Sequence, residues 1–175
     1  MNRNPTRVTA ERAAELWKRM LRTPRFDNGA TDPANLMASM IATSMVVAPE
    51  EDKLEKFGEL LVDAIMTPSE DSPDYYPNTT LGSDYGPDRV LSDAAEAAGL
   101  KCQFPWKTTM WVYGDSVSVS YGYGTEAERH YLLENGNWLI TTLCGSDIDK
   151  IKKFAVDSTL PEFNIETKER HESSR

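Results

Sequence analysis

The chain has 175 residues, of which 39% are hydrophobic and 27% charged, a composition typical of a globular protein with a sizeable core. No stretch approaches the roughly 18 apolar residues of a membrane span, and the N-terminal residues lack the apolar segment of a signal peptide. We therefore expect a cytoplasmic protein that does not contact membranes, and two cysteines alone do not indicate a disulfide framework.

The net charge of −9 is concentrated in one part of the chain. Residues 50–88 carry two lysines and eleven acidic residues, an excess of −9 that equals the imbalance of the whole protein. Such a surface repels nucleic acid phosphates, so we expect no direct binding of nucleic acid and favour a protein partner with a basic surface. The competing explanation is an acidic surface that serves solubility alone.

Residues 1–66 are predicted to form a helical subdomain of three helices. The first is predicted to start at a Thr9 cap and to end before Pro24, with an apolar stripe at helical spacing. The second starts at Asp32-Pro33 and runs to about residue 48, and its methionine-rich stripe and small residues predict burial between neighbouring helices. An adaptable methionine-lined binding groove is the alternative for this helix.

The third predicted helix starts after Pro49 and ends before Thr67-Pro68. Its apolar residues recur on one face, and most of its acids point the other way. We interpret this acidic row as a docking surface for a basic partner, formed by Glu51, Asp52, Glu55, Glu59 and Asp63.

Residues 67–87 are predicted to be a long acidic loop rich in proline and tyrosine. Long ordered loops often carry function, although a flexible linker has the same composition. Tyr75, Tyr76 and Tyr85, with His130 from the sheet, are the candidates for an alternative ligand site between this loop and the sheet.

Residues 88–157 are predicted to form a helix, a four-stranded antiparallel meander and a second helix, followed by a polar tail at 158–175. The first of these helices spans residues 89–98, between an Asp88 cap and Gly99, and the last spans residues 147–156. The strands are predicted at residues 108–113, 116–123, 129–134 and 138–143. Gly114-Asp115 and Asn135-Gly136 are predicted to be two-residue hairpin turns. The fold class is therefore α+β.

The first hairpin turn sets which side chains share a face of the sheet. Val112 then opposes Val117, and Trp111 opposes Ser118, so one face carries valines and the other carries serines. If Tyr123 pairs near Arg129, the serine face also holds His130, and the two helices at 89–98 and 147–156 cover the valine face. The aromatic residues Trp111 and Tyr113 beside Ser118 would then form a partly exposed binding shelf, unless part of the chain covers them.

No group of residues indicates catalysis. His130 and the two cysteines match no zinc spacing, and a nucleophilic pair of Cys144 with His130 is less favoured than a buried structural cysteine. We therefore predict no metal, no cofactor and no catalytic residue.

The predicted function is that of a non-enzymatic acidic binding protein. An inhibitor or accessory factor of a nucleic-acid-handling protein fits the charge, including one that imitates nucleic acid, and small acidic proteins of phages and mobile elements often act in this way. The alternative is a small-molecule or nucleotide-binding protein, or a small enzyme, that uses the tyrosine site. A homodimer through the serine face is a further expectation.

Overall fold

The computed structural model describes residues 4–24, 26, 33–142, 147–156 and 162–165, and within them the predicted α+β class is confirmed. The helices in these ranges are α1 (Arg7–Arg22), α2 (Pro33–Ser44), α3 (Glu51–Met66), α4 (Arg89–Ala98) and α5 (Asp147–Ala155), with a 3₁₀ turn at Pro77–Thr79. The strands are β1 (Thr80–Ser83), β2 (Thr108–Val112), β3 (Ser116–Tyr121), β4 (Glu128–Leu132), β5 (Trp138–Thr141) and β6 (Glu162–Ile165).

Local capping sets the ends of the helices. α1 starts earlier than predicted because Thr6, not Thr9, is its cap: the two threonines exchange side-chain-to-backbone hydrogen bonds of 3.0 and 3.3 Å. The predicted caps of α4 are confirmed. The Asp88 carboxylate accepts a hydrogen bond of 3.0 Å from the Leu91 amide, and Gly99 ends the helix with the positive φ of 65° that glycine adopts without strain.

Within the described residues the sheet has six strands, in the order β1-β2-β3-β4-β5-β6. The first five pair antiparallel, and β6 joins β5 in parallel. The predicted meander is thus extended at both edges, by β1 from the 67–87 segment and by β6 from the 158–175 segment. The β2–β3 register is as predicted, with Val112 opposite Val117 and Trp111 opposite Ser118.

The predicted register from β3 to β4 is wrong. His130 lies opposite Val117, and Tyr131 lies opposite Ser116, which places His130 on the valine face. β3 already ends at Tyr121, because the chain turns away at Gly122 and Gly124, which have φ values of 99° and 73°. An odd shift in pairing moves every side chain of the partner strand to the other face.

The second hairpin also differs from the prediction by one residue. Leu133 accepts a hydrogen bond of 2.9 Å from the Gly136 amide and donates one of 2.9 Å to the Asn137 carbonyl, so the loop has three residues, not two. Gly136 takes the left-handed conformation, with φ of 83°, that this longer loop requires. Trp138 therefore opposes Leu132, not Leu133.

Helices cover both faces of the sheet. Buried side chains of α1, α3 and α4 form one cluster with the valine face, including Met110, Val112, Val117 and Val119. α5 packs on the opposite face, where Ile148 and Ala155 contact Tyr131 and Leu139. The prediction that the last helix covers the valine face is wrong, because Tyr131 and Leu139 form the apolar surface of the other face.

α2 is not buried between neighbouring helices, which corrects the prediction for this segment. The side chains of Leu36, Met37 and Met40 are 60–65% exposed, and Ile41, Met45 and Val47 are 54–69% exposed. Among the described α-helices, α3 packs on α1 and on α4.

None of the helices in the described ranges combines the length and the apolar character needed to cross a membrane.

Candidate functional site

The acidic row predicted on the third helix lies on α3 and faces solvent. Glu51, Asp52, Glu55, Glu59 and Asp63 are all exposed, while Leu54, Phe57, Leu61 and Ile65 on the opposite face are fully buried. The helical spacing of the apolar residues accounts for this division.

Two of these acids already pair with cations of α1. Arg22 forms an ion pair with Glu51, and Lys18 contacts the Glu55 carboxylate at 2.6 Å. The hydrogen bond from Arg22 holds the pKa of Glu51 below its ordinary value. Glu51 and Glu55 therefore serve the packing of α1 on α3 and are only partly available to an outside partner.

Lys18 of α1 is only 5% exposed although it carries a charge. Burial lowers the pKa of its amino group, but hydrogen bonds with Glu15 and Glu55 outweigh burial, so the pKa lies above its ordinary value. The lysine stem crosses α3 at Gly58, where a Cβ atom would lie 3.1 Å from Lys18 Cδ. A glycine inside an otherwise regular helix was the available signal for this close approach.

Beside Lys18 the two helices enclose a groove of about 590 Å³, which we call the acidic groove. Five carboxylates and two cations line it, together with apolar positions; these charged residues are Glu11, Glu15, Glu55, Glu59, Asp63, Arg7 and Lys18. Arg7 pairs with Glu11 at 3.0 Å, and Lys18 is shared by Glu15 and Glu55. Within the ranges that the structure describes, Glu59 and Asp63 have no ion pair. The groove therefore presents excess negative charge on two packed helices.

The predicted aromatic shelf is only partly accessible. Trp111 and Tyr113 are half-buried, and Ser118, which was predicted to lie beside them on the shelf, is 8% exposed. Ser120 hydrogen bonds with its hydroxyl to the Gly122 carbonyl, at 3.2 Å. The serines of β3 thus lie on a largely covered surface and not on the open shelf that was predicted.

The predicted tyrosine site is only partly brought together. Tyr85 is 66% exposed and lies on the wall of a cavity of about 520 Å³, with its ring centroid 5.6 Å from that of Trp106. We call this space, between α2 and the 103–106 segment, the apolar cavity; its lining is Phe26, Ala38, Ile41, Ala42, Met45, Tyr85, Gly86, Pro87, Gln103, Phe104 and Trp106. Tyr75, Tyr76 and His130 do not line it.

A cationic contact lies at the rim next to Tyr85. The Lys107 ammonium is 5.4 Å from the centroid of the Tyr85 ring and 4.6 Å from that of Tyr123. The Tyr123 hydroxyl donates a hydrogen bond of 2.6 Å to Asp84, and this bond raises the pKa of Tyr123. These contacts tie the 84–85 turn to the end of β3.

His130 belongs to a buried polar cluster that the sequence did not reveal. Its side chain is 1% exposed; Arg12 donates to its Nδ1 at 2.9 Å, and its Nε2 lies 2.7 Å from Glu128. Because an arginine has no acceptor, Nδ1 accepts the hydrogen bond from Arg12, and Nε2 is the ring nitrogen that faces the Glu128 carboxylate. Arg12 also contacts Glu162 of β6 at 2.6 Å and lies over the Trp138 ring. We call these residues the Arg12 cluster; it joins α1, β4, β5 and β6.

Of the two cysteines considered for chemistry, the structure describes Cys102. Burial raises the pKa of the half-buried Cys102 thiol to about 11, which disfavours the reactive thiolate. Cys144, considered above as a nucleophile, lies outside the described residues. In the described part of the chain, no three His, Cys, Asp or Glu side chains are grouped so that they could hold a metal ion.

Comparisons of the chain with protein-family models, with curated proteins and with solved structures found no match.

Proposed function

We propose that this protein is a non-enzymatic binding protein that docks a basic protein partner in the acidic groove. The observation that carries the proposal is the excess of carboxylates over cations in a groove formed by two packed helices. Helices that pack through a shared core hold these charges in fixed positions, which favours electrostatic steering and correct register of a partner.

The pairing inside the groove refines the residues of the proposed site. Glu59 and Asp63 are the best-placed contacts, because the acids Glu11, Glu51 and Glu55 already pair with cations of α1. A basic partner would meet Glu59 and Asp63 without displacing a pair of the described chain. Arginine side chains suit such contacts because their planar donors match two carboxylate oxygens.

We propose that this protein acts as an inhibitor or accessory factor and that its basic partner is a nucleic-acid-handling protein. The support is chemical: proteins that bind phosphates carry basic surfaces, and a groove of carboxylates offers them a substitute anion. Imitation of nucleic acid, a cytoplasmic location and a homodimer stay predictions at this stage.

The test compares two variants with equal charge change. Glu59→Lys with Asp63→Lys reverses two charges in the groove, while Glu96→Lys with Glu134→Lys reverses two exposed charges elsewhere. An oligolysine peptide serves as the probe, titrated at low and moderate salt. We expect the groove variant to lose about tenfold or more in affinity and to show a weaker salt dependence, since exposed ion pairs contribute about 0.2–1 kcal/mol each and reversal adds repulsion.

The control variant should bind nearly as the unaltered protein does, apart from the effect of net charge. Equal loss in both variants would show that binding follows net charge and not the groove. That result would remove the proposed site, provided that both variants keep the circular dichroism spectrum and melting temperature of the unaltered chain.

A further inference from the structure

The surface that stands out beyond the acidic groove is α2 with the apolar cavity. Residues 33–49 contain no charged residue, although 27% of the whole chain is charged. Six large apolar side chains in this stretch are more than half exposed; they are Leu36, Met37, Met40, Ile41, Met45 and Val47. A helix that carries so many large apolar side chains and no charge normally lies in a protein interior.

The exposed area is large enough to form an interface. Six side chains of this size, each more than half exposed, present roughly 600–700 Å² of apolar surface, whereas the largest patch on an ordinary monomer is about 300–600 Å². Two such surfaces together bury about 1,200–1,400 Å², which is within the size range of specific protein–protein interfaces.

The chain carries both halves of a complementary contact. Ala38, Ile41, Ala42 and Met45 border the apolar cavity, while Leu36 and Met40 lie on α2 outside its lining. Ala38 and Ala42 contribute only small side chains to the lining of the cavity, and Ala38 is exposed to solvent. In a two-fold contact, Leu36 and Met40 of one chain can enter the cavity of the other, and the reverse contact forms by symmetry.

The charge distribution favours a second copy as the occupant. Two chains of net charge −9 repel each other over most of their surface. Because α2 carries no charge, the electrostatic repulsion between two copies is smallest when they meet there. A basic partner gains nothing from an uncharged helix and is better served by the acidic groove. We propose that α2 and the apolar cavity form a homodimer interface in which Leu36 and Met40 of each chain fill the cavity of the other.

Sedimentation velocity over a range of concentrations tests this proposal. We expect the unaltered protein to dimerise with a dissociation constant on the order of micromolar, since the interface is at the small end of its class. Met40→Asp should weaken dimerisation at least about 100-fold, because each dimer loses two buried methionines. The matched control is Val8→Asp, which places the same charge on an apolar side chain of α1 that is 47% exposed, and it should dimerise normally.

A second variant tests the cavity itself. Ala42→Trp fills the cavity from its own chain and should also give a monomer, with an unchanged circular dichroism spectrum. A dimer that persists in either Met40→Asp or Ala42→Trp would overturn the proposed interface. An unaltered protein that stays monomeric at the highest soluble concentration would overturn it too, and binding of an apolar dye by that monomer, lost in Ala42→Trp, would assign the cavity to a small ligand instead.

The dimer and the acidic groove can fail separately. The variant Glu59→Lys with Asp63→Lys should dimerise like the unaltered protein, and Met40→Asp should bind oligolysine like the unaltered protein. Loss of dimerisation in the groove variant would overturn the assignment of the interface to α2.

Discussion

Replacing Arg12 by methionine tests whether the Arg12 cluster holds α1 to the far edge of the sheet. The substitution keeps much of the aliphatic stem but removes every donor of the guanidinium. The Nδ1 atom of His130, which is 1% exposed, then loses its hydrogen bond from Arg12. The partly exposed Glu162 loses its cation, and Trp138 loses the charge above its ring.

The magnitude can be estimated contact by contact. A buried acceptor left without its donor costs about 1–3 kcal/mol. The Glu162 contact adds about 0.5–1 kcal/mol, a value discounted because 36% of the Glu162 side chain is exposed and solvent screens the pair. The contact with Trp138 adds about 0.5 kcal/mol. We therefore expect the free energy of unfolding to fall by about 2–4.5 kcal/mol, which lowers the melting temperature of a chain of this size by roughly 4–18 °C.

Urea unfolding followed by circular dichroism measures this loss, with Arg89→Met as the control. Arg89 is 93% exposed and pairs only loosely with Asp93, at 3.4 Å, so its replacement should change stability by less than about 0.5 kcal/mol. Hydrogen exchange should also be faster at the amides of β6 in Arg12→Met. If Arg12→Met is no less stable than Arg89→Met, the cluster does not stabilise the fold and the reasoning is wrong.

Three further predictions follow from other contacts. First, two carboxylates have pKa values below the ordinary value of 4.5: that of Glu128 is lowered chiefly by its hydrogen bond with His130, and that of Glu162 chiefly by its hydrogen bond with Arg12. Their contribution to stability is complete above pH 4.5 and is lost as the pH falls toward the lowered pKa values. Acid unfolding of Glu128→Gln with Glu162→Gln should therefore show a shallower decline of stability below pH 4.5 than the unaltered protein, and equal slopes would contradict the prediction. Second, Ser118→Arg should lower the free energy of unfolding by about 2–4 kcal/mol, because it places a charged and much larger side chain where only 8% of the serine is exposed; an unchanged melting temperature would show that the serine face is open. Third, alkylation of Cys102 should be slow at neutral pH and rise only toward its pKa of about 11, as followed by mass spectrometry of the Cys102 peptide, and rapid labelling at neutral pH would show that the thiol is activated.

Features that depend on neighbouring residues were predicted well. The caps of α4 at Asp88 and Gly99 follow from side chains that bond to their own helix ends. The β2–β3 register follows from the Gly114-Asp115 turn, because a two-residue turn leaves one alignment of the strands. The α+β class, the acidic face of α3 and the strand positions of the meander required only local patterns.

The same local patterns were insufficient where the chain closes wider loops. The register between β3 and β4 depends on how residues 122–127 turn, and the second hairpin has one more loop residue than its Asn-Gly pair indicates. Because an odd shift in register exchanges the faces of a strand, the sequence placed His130 on the serine face although it lies under α1. The added strands β1 and β6 pair with strands far along the chain, and a strand of four residues has too weak a sequence pattern to be predicted.

The candidate sites divide along the same line. From the sequence alone one knows that α3 carries an acidic face and that α2 is uncharged, because composition and helical period are properties of contiguous residues. Only the tertiary structure shows that Lys18 pairs with Glu55 and Arg22 with Glu51. It also shows that Arg12 donates a hydrogen bond to His130 and that α2 is exposed beside a cavity. The reason is physical, because burial and ion pairing depend on which distant parts of the chain come into contact. The local sequence around a side chain does not determine those contacts.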